Sequence, residues 1–239
     1  MGENVDYTQL MRKSTRKIHS ISDTLINAKL AFAISNNKVW GEGLLIFYEV
    51  FKFIERAIAE TSNEHLKQFH MVEMFRTKAF EADLNYYLGP DWNKDYVPRI
   101  SVRRYLNYLG KLERNEPEIL IAYFYHLYMG LLSGGQILRK KRSVFNKLSA
   151  NQTEGNAVTE FSEPIAELKT KIRKLTNKVC GEMDAEMRDK VIKEGQMVFT
   201  LNNEIVATIE STNLVVIKRV IYSFCLFGIS YLIYRYLRK

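Results

Sequence analysis

Between Ile119 and Arg139 the chain carries one long apolar, helix-like run, and no proline falls between Pro117 and Pro164 to break it. Yet Gly130, Gly134 and Gly135 sit inside that run. Each glycine in a helix interior costs about 1 kcal/mol relative to alanine, so a cluster of three needs a compensating reason. One reason is close approach: without Cβ atoms a flat ligand can lie against the backbone, and the helix can bend around it. Gly130 and Gly134 are one turn apart and share a face, as that use requires. The other reason is tight packing against a second helix, or a helix end at Gly134-Gly135. Spacing alone leaves both open.

The residues in and around the run narrow the choice. Tyr128-Met-Gly-Leu-Leu-Ser-Gly-Gly-Gln136 resembles the distal-helix motif of the heme oxygenases, Tyr-Leu-Gly-Asp-Leu-Ser-Gly-Gly-Gln. A second piece, Lys13-Ser-Thr-Arg-Lys-Ile-His19, resembles the family's proximal segment, whose histidine ligates iron. The two pieces stand in the family's order and spacing, and the similarity runs with gaps from about Tyr7 to about Ile209. The motif departs from the family at Leu131, where an Asp is usual, and at Leu127, where the family has an Arg; the apolar substitution resembles insect heme oxygenases more than vertebrate ones.

The resemblance implies an all-α heme oxygenase-like domain. It implies oxidation of heme by dioxygen, with electrons from an NADPH-dependent cytochrome reductase, to biliverdin, carbon monoxide and ferrous iron. Heme would be both substrate and cofactor. His19 would be the metal ligand. Gly130, Gly134 and Leu131 would form the catalytic distal wall. Arg12, Arg16, Lys171 and Tyr125 would hold the porphyrin, the bases at its propionates, and Phe199 would lie at the porphyrin edge, with Asn202 also at a family position. A second family base near Lys171 maps onto Leu175, with Arg173 or Lys174 as substitutes.

The residues themselves suit these roles. Arg12, Arg16 and His19 recur at four and three residues and share a helix face, an imidazole for a metal beside guanidiniums for carboxylates. Asp23, one turn after His19, could fix the imidazole's tautomer. The alternative is an ordinary half-buried histidine on a solvated helix. His65 and His70 lack partners at metal-ligand spacing and read as surface or structural.

The 239 residues suffice for one domain with a core and an appendage. A net charge of +8 favours an anionic partner. Nucleic acid is excluded, because the bases are scattered and no binding motif is present. Two cysteines make neither a disulfide framework nor a thiolate metal site, which points to a reducing compartment.

Further helices are expected over residues 7–31, 44–58, 71–88, 98–112, 164–179 and 186–209 from the apolar periodicity. Gly89-Pro-Asp-Trp92 is a helix stop. Glu55 stands where the family often has a Tyr lining the distal side. Arg139-Lys-Lys-Arg142 is either a solvated helix end or a docking patch for an acidic redox partner or anionic lipid.

The tail is the second strong signal. Val220 to Tyr234 carries no charge and is bounded by Lys218-Arg219 and Arg235. As a helix it spans about 22 Å, short of a hydrocarbon core of about 30 Å, but flanking residues extend it if the basic side chains snorkel. This predicts a C-terminal membrane anchor over 215–237, joined by a short linker, 210–214, to a heme oxygenase-like domain over 1–209. The alternative is a buried core helix. By resemblance to animal enzymes, the anchor implies the cytosolic face of the endoplasmic reticulum membrane.

A rival function is a membrane-tethered heme-binding or sequestering protein with little turnover. Leu127 and Leu131 cannot hold an ordered water as a carboxylate and guanidinium would. If turnover occurs, the same residues predict a slower reaction and mixed biliverdin isomers, that is, relaxed meso-carbon regiospecificity.

Overall fold

The computed structural model describes residues 5–33, 36–148, 154–209, 221–231 and 234. Among them there are helices and no strands. In chain order the α-helices are α1 (Tyr7–Ala33), α2 (Asn37–Glu60), α3 (Glu64–Lys67), α4 (Thr77–Leu88), α5 (Ile100–Asn115), α6 (Leu120–Gly130), α7 (Gln136–Leu148), α8 (Ile165–Glu182) and α9 (Ala185–Ala207).

Helix α6 is central. Eight of its eleven residues, including Ile121, Ala122, Tyr123, Phe124 and Tyr128, are buried. An apolar surface all around a helix is stable only in the interior. It packs against α9, α8, α2 and α5. Helix α1 lies along α9, and α2 lies along α4.

Local chemistry sets the helix ends. Asn36 accepts hydrogen bonds from the N–H groups of Lys38 and Val39 and starts α2, which therefore begins seven residues before the 44–58 helix expected from the apolar periodicity. A Cβ at Gly41 would come within 2.7 Å of Leu88, so this glycine admits α4 against α2. Asp184 caps α9 through Met187 N–H. Gly89, with φ of 90°, ends α4 as expected.

Helix α4 begins at Thr77, not at Met71, because Glu55 caps it. This buried carboxylate accepts from the N–H of Arg76, from the N–H (3.0 Å) and hydroxyl (2.5 Å) of Thr77, and from the hydroxyl of Tyr128 (2.7 Å). Glu55 therefore ties α2, α4 and α6 together in the core.

The expected transmembrane anchor is not supported. Among the described residues no helix is long and apolar enough to cross a membrane. Residues 221–231 are helical with exposed side chains, which also argues against a buried core helix. The linker 210–214 and the rest of the expected anchor (215–220, 232–233, 235–237) lie outside the described residues.

Candidate active site

The iron-ligand candidate is placed by the seam between α1 and α9. Ser14 donates its hydroxyl to the Ile192 carbonyl, and Gln196 donates its amide to the Ser14 carbonyl, at 3.2 Å each. The seam brings His19 on α1 against Phe199 on α9, ring centroids 5.2 Å apart. His19 Nδ1 lies 3.0 Å from Asp23 Oδ2, and the His19 side chain is 55% exposed. With Nδ1 engaged by the carboxylate, Nε2 carries the free lone pair that a metal needs. The pairing of His19 with Asp23 that the spacing allowed is thus assembled.

The distal candidates meet at a break in helix type. Leu131–Gly135 form a π turn between α6 and α7, a feature that recurs at functional sites. The three glycines divide between the two roles that spacing left open. Cβ atoms built on Gly130 or Gly134 would meet nothing within 4 Å, so that face borders open space. A Cβ on Gly135 would meet Leu131 Cδ1 at 3.0 Å and Thr159 Cγ2 at 3.6 Å, so this glycine serves packing. Leu131 is thereby folded over Gly135, and Leu127 is buried. Neither supplies a polar group to the cleft.

The π turn is buttressed from outside. Gln136 donates its side-chain amide to the Thr159 carbonyl at 2.8 Å. The loop carrying Thr159 is held by Asp83, which accepts from the N–H groups of Ala157 and Val158 at 2.9 and 3.0 Å. Burial raises the Asp83 pKa, and these two N–H groups pull it back. The motif's glutamine thus fastens the π turn to the loop carrying Thr159.

Tyr125 is buried, and its hydroxyl is enclosed without a hydrogen-bond partner among the described residues. Burial raises its pKa, while neighbouring Thr8 and the positive charges of Arg173 and Arg12 lower it. Arg173 and Arg12 are thus near enough to act on this hydroxyl electrostatically, and guanidiniums are donors that fit a carboxylate. Arg16 is exposed, with no ion pair among the described residues. Lys171 is held by Glu163 at 2.5 Å, and Glu163 accounts for most of the rise in the lysine's pKa. The α8 base whose charge reaches Tyr125 is Arg173, the named substitute. Leu175 packs partly buried against the core.

The four-residue basic patch does not survive as a surface. Arg142 is 1% exposed. It stacks over Trp40 and Tyr87 at 4.8 and 4.9 Å and donates to Asn37 Oδ1 at 2.5 Å and to the Tyr87 hydroxyl. Arg139 is paired with Glu160 at 2.7 Å. Only Lys140 and Lys141 stay exposed and without an ion pair among the described residues. The sequence could not show that the face of α7 carrying Arg142 is covered by α2 and α4.

His126 was not singled out from the sequence. It stands one turn before Gly130, a spacing that could have flagged it. Its ring packs against Phe199 at 5.3 Å, and its Nε2 is enclosed with no hydrogen-bond partner among the described residues. Burial lowers its pKa to about 3, with the nearby His19 a second cause, so it is a neutral imidazole.

These features define a class: an all-helical domain that carries a carboxylate-held histidine on one helix and, at a π turn between two others, glycine backbone bordering open space. A family model for heme oxygenase matches residues 5–208. The chain is 28% identical over 207 residues to heme oxygenase 2 of Synechocystis sp., covering 84% of this chain and 82% of the relative. It is 27% identical over 207 residues to human heme oxygenase 1, covering 82% of this chain and 69% of the relative. A structure of heme oxygenase 2 from Chlamydomonas reinhardtii without heme superposes with a TM-score of 0.79 at 26% identity, covering 86% of this chain and 98% of that one. A structure of heme oxygenase-2 from Synechocystis sp. in complex with heme and NO superposes with a TM-score of 0.76 at 26% identity, covering 88% and 87%. The chain belongs to the heme oxygenase family of enzymes.

Proposed function

We propose that this chain degrades heme, its substrate, to biliverdin, carbon monoxide and ferrous iron, using dioxygen and electrons from an NADPH-dependent reductase. The observation that carries this reading is the pairing of an Asp23-held His19 with open glycine backbone at Gly130 and Gly134. The residues present fit heme: one imidazole for its iron, a face without Cβ atoms for its ring, and Arg12, Arg16 and Arg173 with the Tyr125 hydroxyl for its propionates. Heme supplies the redox chemistry at its own iron. The chain's part is to grip the ring by its carboxylates, to hold His19 in one tautomer through Asp23, and to press backbone close over one face so that only part of the ring edge is accessible.

The surface charge bears on the reductase. Arg12, Lys13, Arg16 and Lys17 on α1 are all exposed, and none has an ion pair among the described residues. An acidic reductase would be steered to this side of the cleft rather than to α7. The anchor belongs to this proposal as well. Residues 221–231 are an uncharged, exposed helix, and a 215–237 segment that holds the protein on the cytosolic face of the endoplasmic reticulum accounts for it. Protein lacking 215–239 should partition to the soluble fraction and still bind hemin; truncated protein that aggregates and binds none would refute the anchor.

The test of the activity is direct. Hemin-loaded protein with reductase and NADPH should lose its Soret band as biliverdin appears. The second reading, a heme binder with little turnover, is favoured by one feature, the apolar Leu127 and Leu131. A Soret band that persists through repeated NADPH additions would establish it. Separation of the biliverdin isomers tests the expected loss of regiospecificity, and a single isomer would show that the glycine backbone alone directs the attack.

A further inference from the structure

His126 is a buried polar group with no evident structural reason to be polar. An enclosed ring nitrogen without a partner is costly, and leaving such a group in place needs an explanation. Its surroundings supply one. A Cβ built on Gly195 of α9 would fall 2.5 Å from His126 Nε2, 3.2 Å from its Cδ2 and 2.7 Å from Thr15 Cγ2. The imidazole of α6 is therefore driven into a notch that exists only because residue 195 is glycine, at the junction of α1, α6 and α9. On its other side it meets Phe199 at 5.3 Å in an edge-on arrangement, and Phe199 meets His19 at 5.2 Å. Two imidazoles thus flank one phenyl ring. The outer is the candidate iron ligand, and the inner is locked into the core.

We propose that His126 is a positioning residue for the iron ligand: wedged against Gly195, it sets the tilt of Phe199 and, through that ring, the orientation of His19 beneath the heme. The proposal rests on the reading of His19 as the ligand. It explains why the notch, the enclosed nitrogen and the phenyl ring occur together. It also links a position on α9, one turn before Phe199, to the behaviour of the iron.

The experiment uses full-length protein loaded with heme. The ferrous iron–histidine stretching band in resonance Raman reports the ligand's orientation, and transfer of heme to apomyoglobin reports retention. Ring–ring contacts of this kind correspond to about a two- to tenfold change in an equilibrium. His126→Ala should therefore shift or broaden the band and speed heme release by about that factor. Gly195→Ala, whose methyl collides with the imidazole, should also move the band. In the double variant the new methyl occupies space vacated by the imidazole, so its band should lie nearer the wild-type position than that of Gly195→Ala alone. Should His126→Ala fail to fold, His126→Asn, with a planar polar group of shorter reach, should give a smaller shift in the same direction. Unchanged bands in the single variants, or a double-variant shift equal to the sum of the singles, would overturn the proposal. The ligand assignment fails by a different result: a His19→Ala protein that keeps the iron–imidazole band. That result removes the proposal with it, whereas an unaltered band in His126→Ala leaves His19 as the ligand.

Discussion

Replacing Gly130 with alanine should make the protein more stable without heme and worse at binding it. Gly130 has helical angles, φ −61° and ψ −47°, so alanine fits the backbone without strain. The new methyl meets nothing within 4 Å. With no clash to offset it, the propensity difference should appear nearly in full, about 0.5–1 kcal/mol in favour of the variant. For a domain of this size, that raises the apo-protein melting temperature by about 1–4 °C. With heme present the methyl stands where the ring must lie against the backbone. Overpacking of a close contact costs about 1–3 kcal/mol, which weakens hemin binding by about five- to hundredfold. Urea titration of the apo protein and hemin titration followed at the Soret band measure the two effects separately. Gly135→Ala is the internal control: its methyl meets Leu131 Cδ1 at 3.0 Å, so it should lack the gain in apo stability. The reasoning fails if Gly130→Ala destabilises the apo protein, which would mean that the face is already packed. It fails equally if hemin affinity is unchanged, which would mean that the ligand lies elsewhere.

Glu55→Ala strips the cap from α4 and leaves the Tyr128 hydroxyl buried without an acceptor; at about 1–3 kcal/mol for each stranded group, it should lower stability by several kcal/mol in urea unfolding. A loss below about 1 kcal/mol, the net worth of one ordinary hydrogen bond, would show that the carboxylate is dispensable. Burial lowers the His126 pKa to about 3 in the fold, against 6.5 for an ordinary imidazole, so the unfolded chain binds the extra proton between those values. Its contribution to stability is complete above 6.5 and is lost as pH falls toward 3; denaturation of the apo protein across that window should show a shallower loss for His126→Asn than for wild type, and parallel curves would contradict the burial of this ring. Lys13→Glu with Lys17→Glu should raise the apparent KM for the reductase, most strongly at low salt, while Lys140→Glu with Lys141→Glu should change it less; the opposite ranking in steady-state assays would return the docking surface to α7.

Much of the site was legible from residue order alone. His19, Asp23 and Arg12 fall at helical spacing, and three glycines inside an apolar run are too costly to lack a purpose. Both signals are local: helix periodicity fixes which residues share a face, and glycine's cost is intrinsic to the backbone. Helix starts were legible where a capping side chain stands beside them, as at Asp184, but not at Thr77, because the cap comes from Glu55 on another helix. The same limit explains Arg142. In sequence it is the last of four bases at a helix surface; only the packing of α2 and α4 reveals that Trp40, Tyr87 and Asn37 enclose it. Which of Lys171 and Arg173 acts on Tyr125 was likewise decided by the way α8 lies against its neighbours, since positions two apart on a helix, about 200° around the axis, look in nearly opposite directions. The division of labour among the glycines, two open and one packed, and the seating of His126 in the notch at Gly195 depend on distances between helices far apart in the chain. Along the sequence, the two motifs carried the resemblance to the family and local chemistry determined which residues could share a helix face; tertiary packing decided which of them are buried, paired or left open, because burial and pairing are properties of the neighbours a residue acquires only when the helices come together.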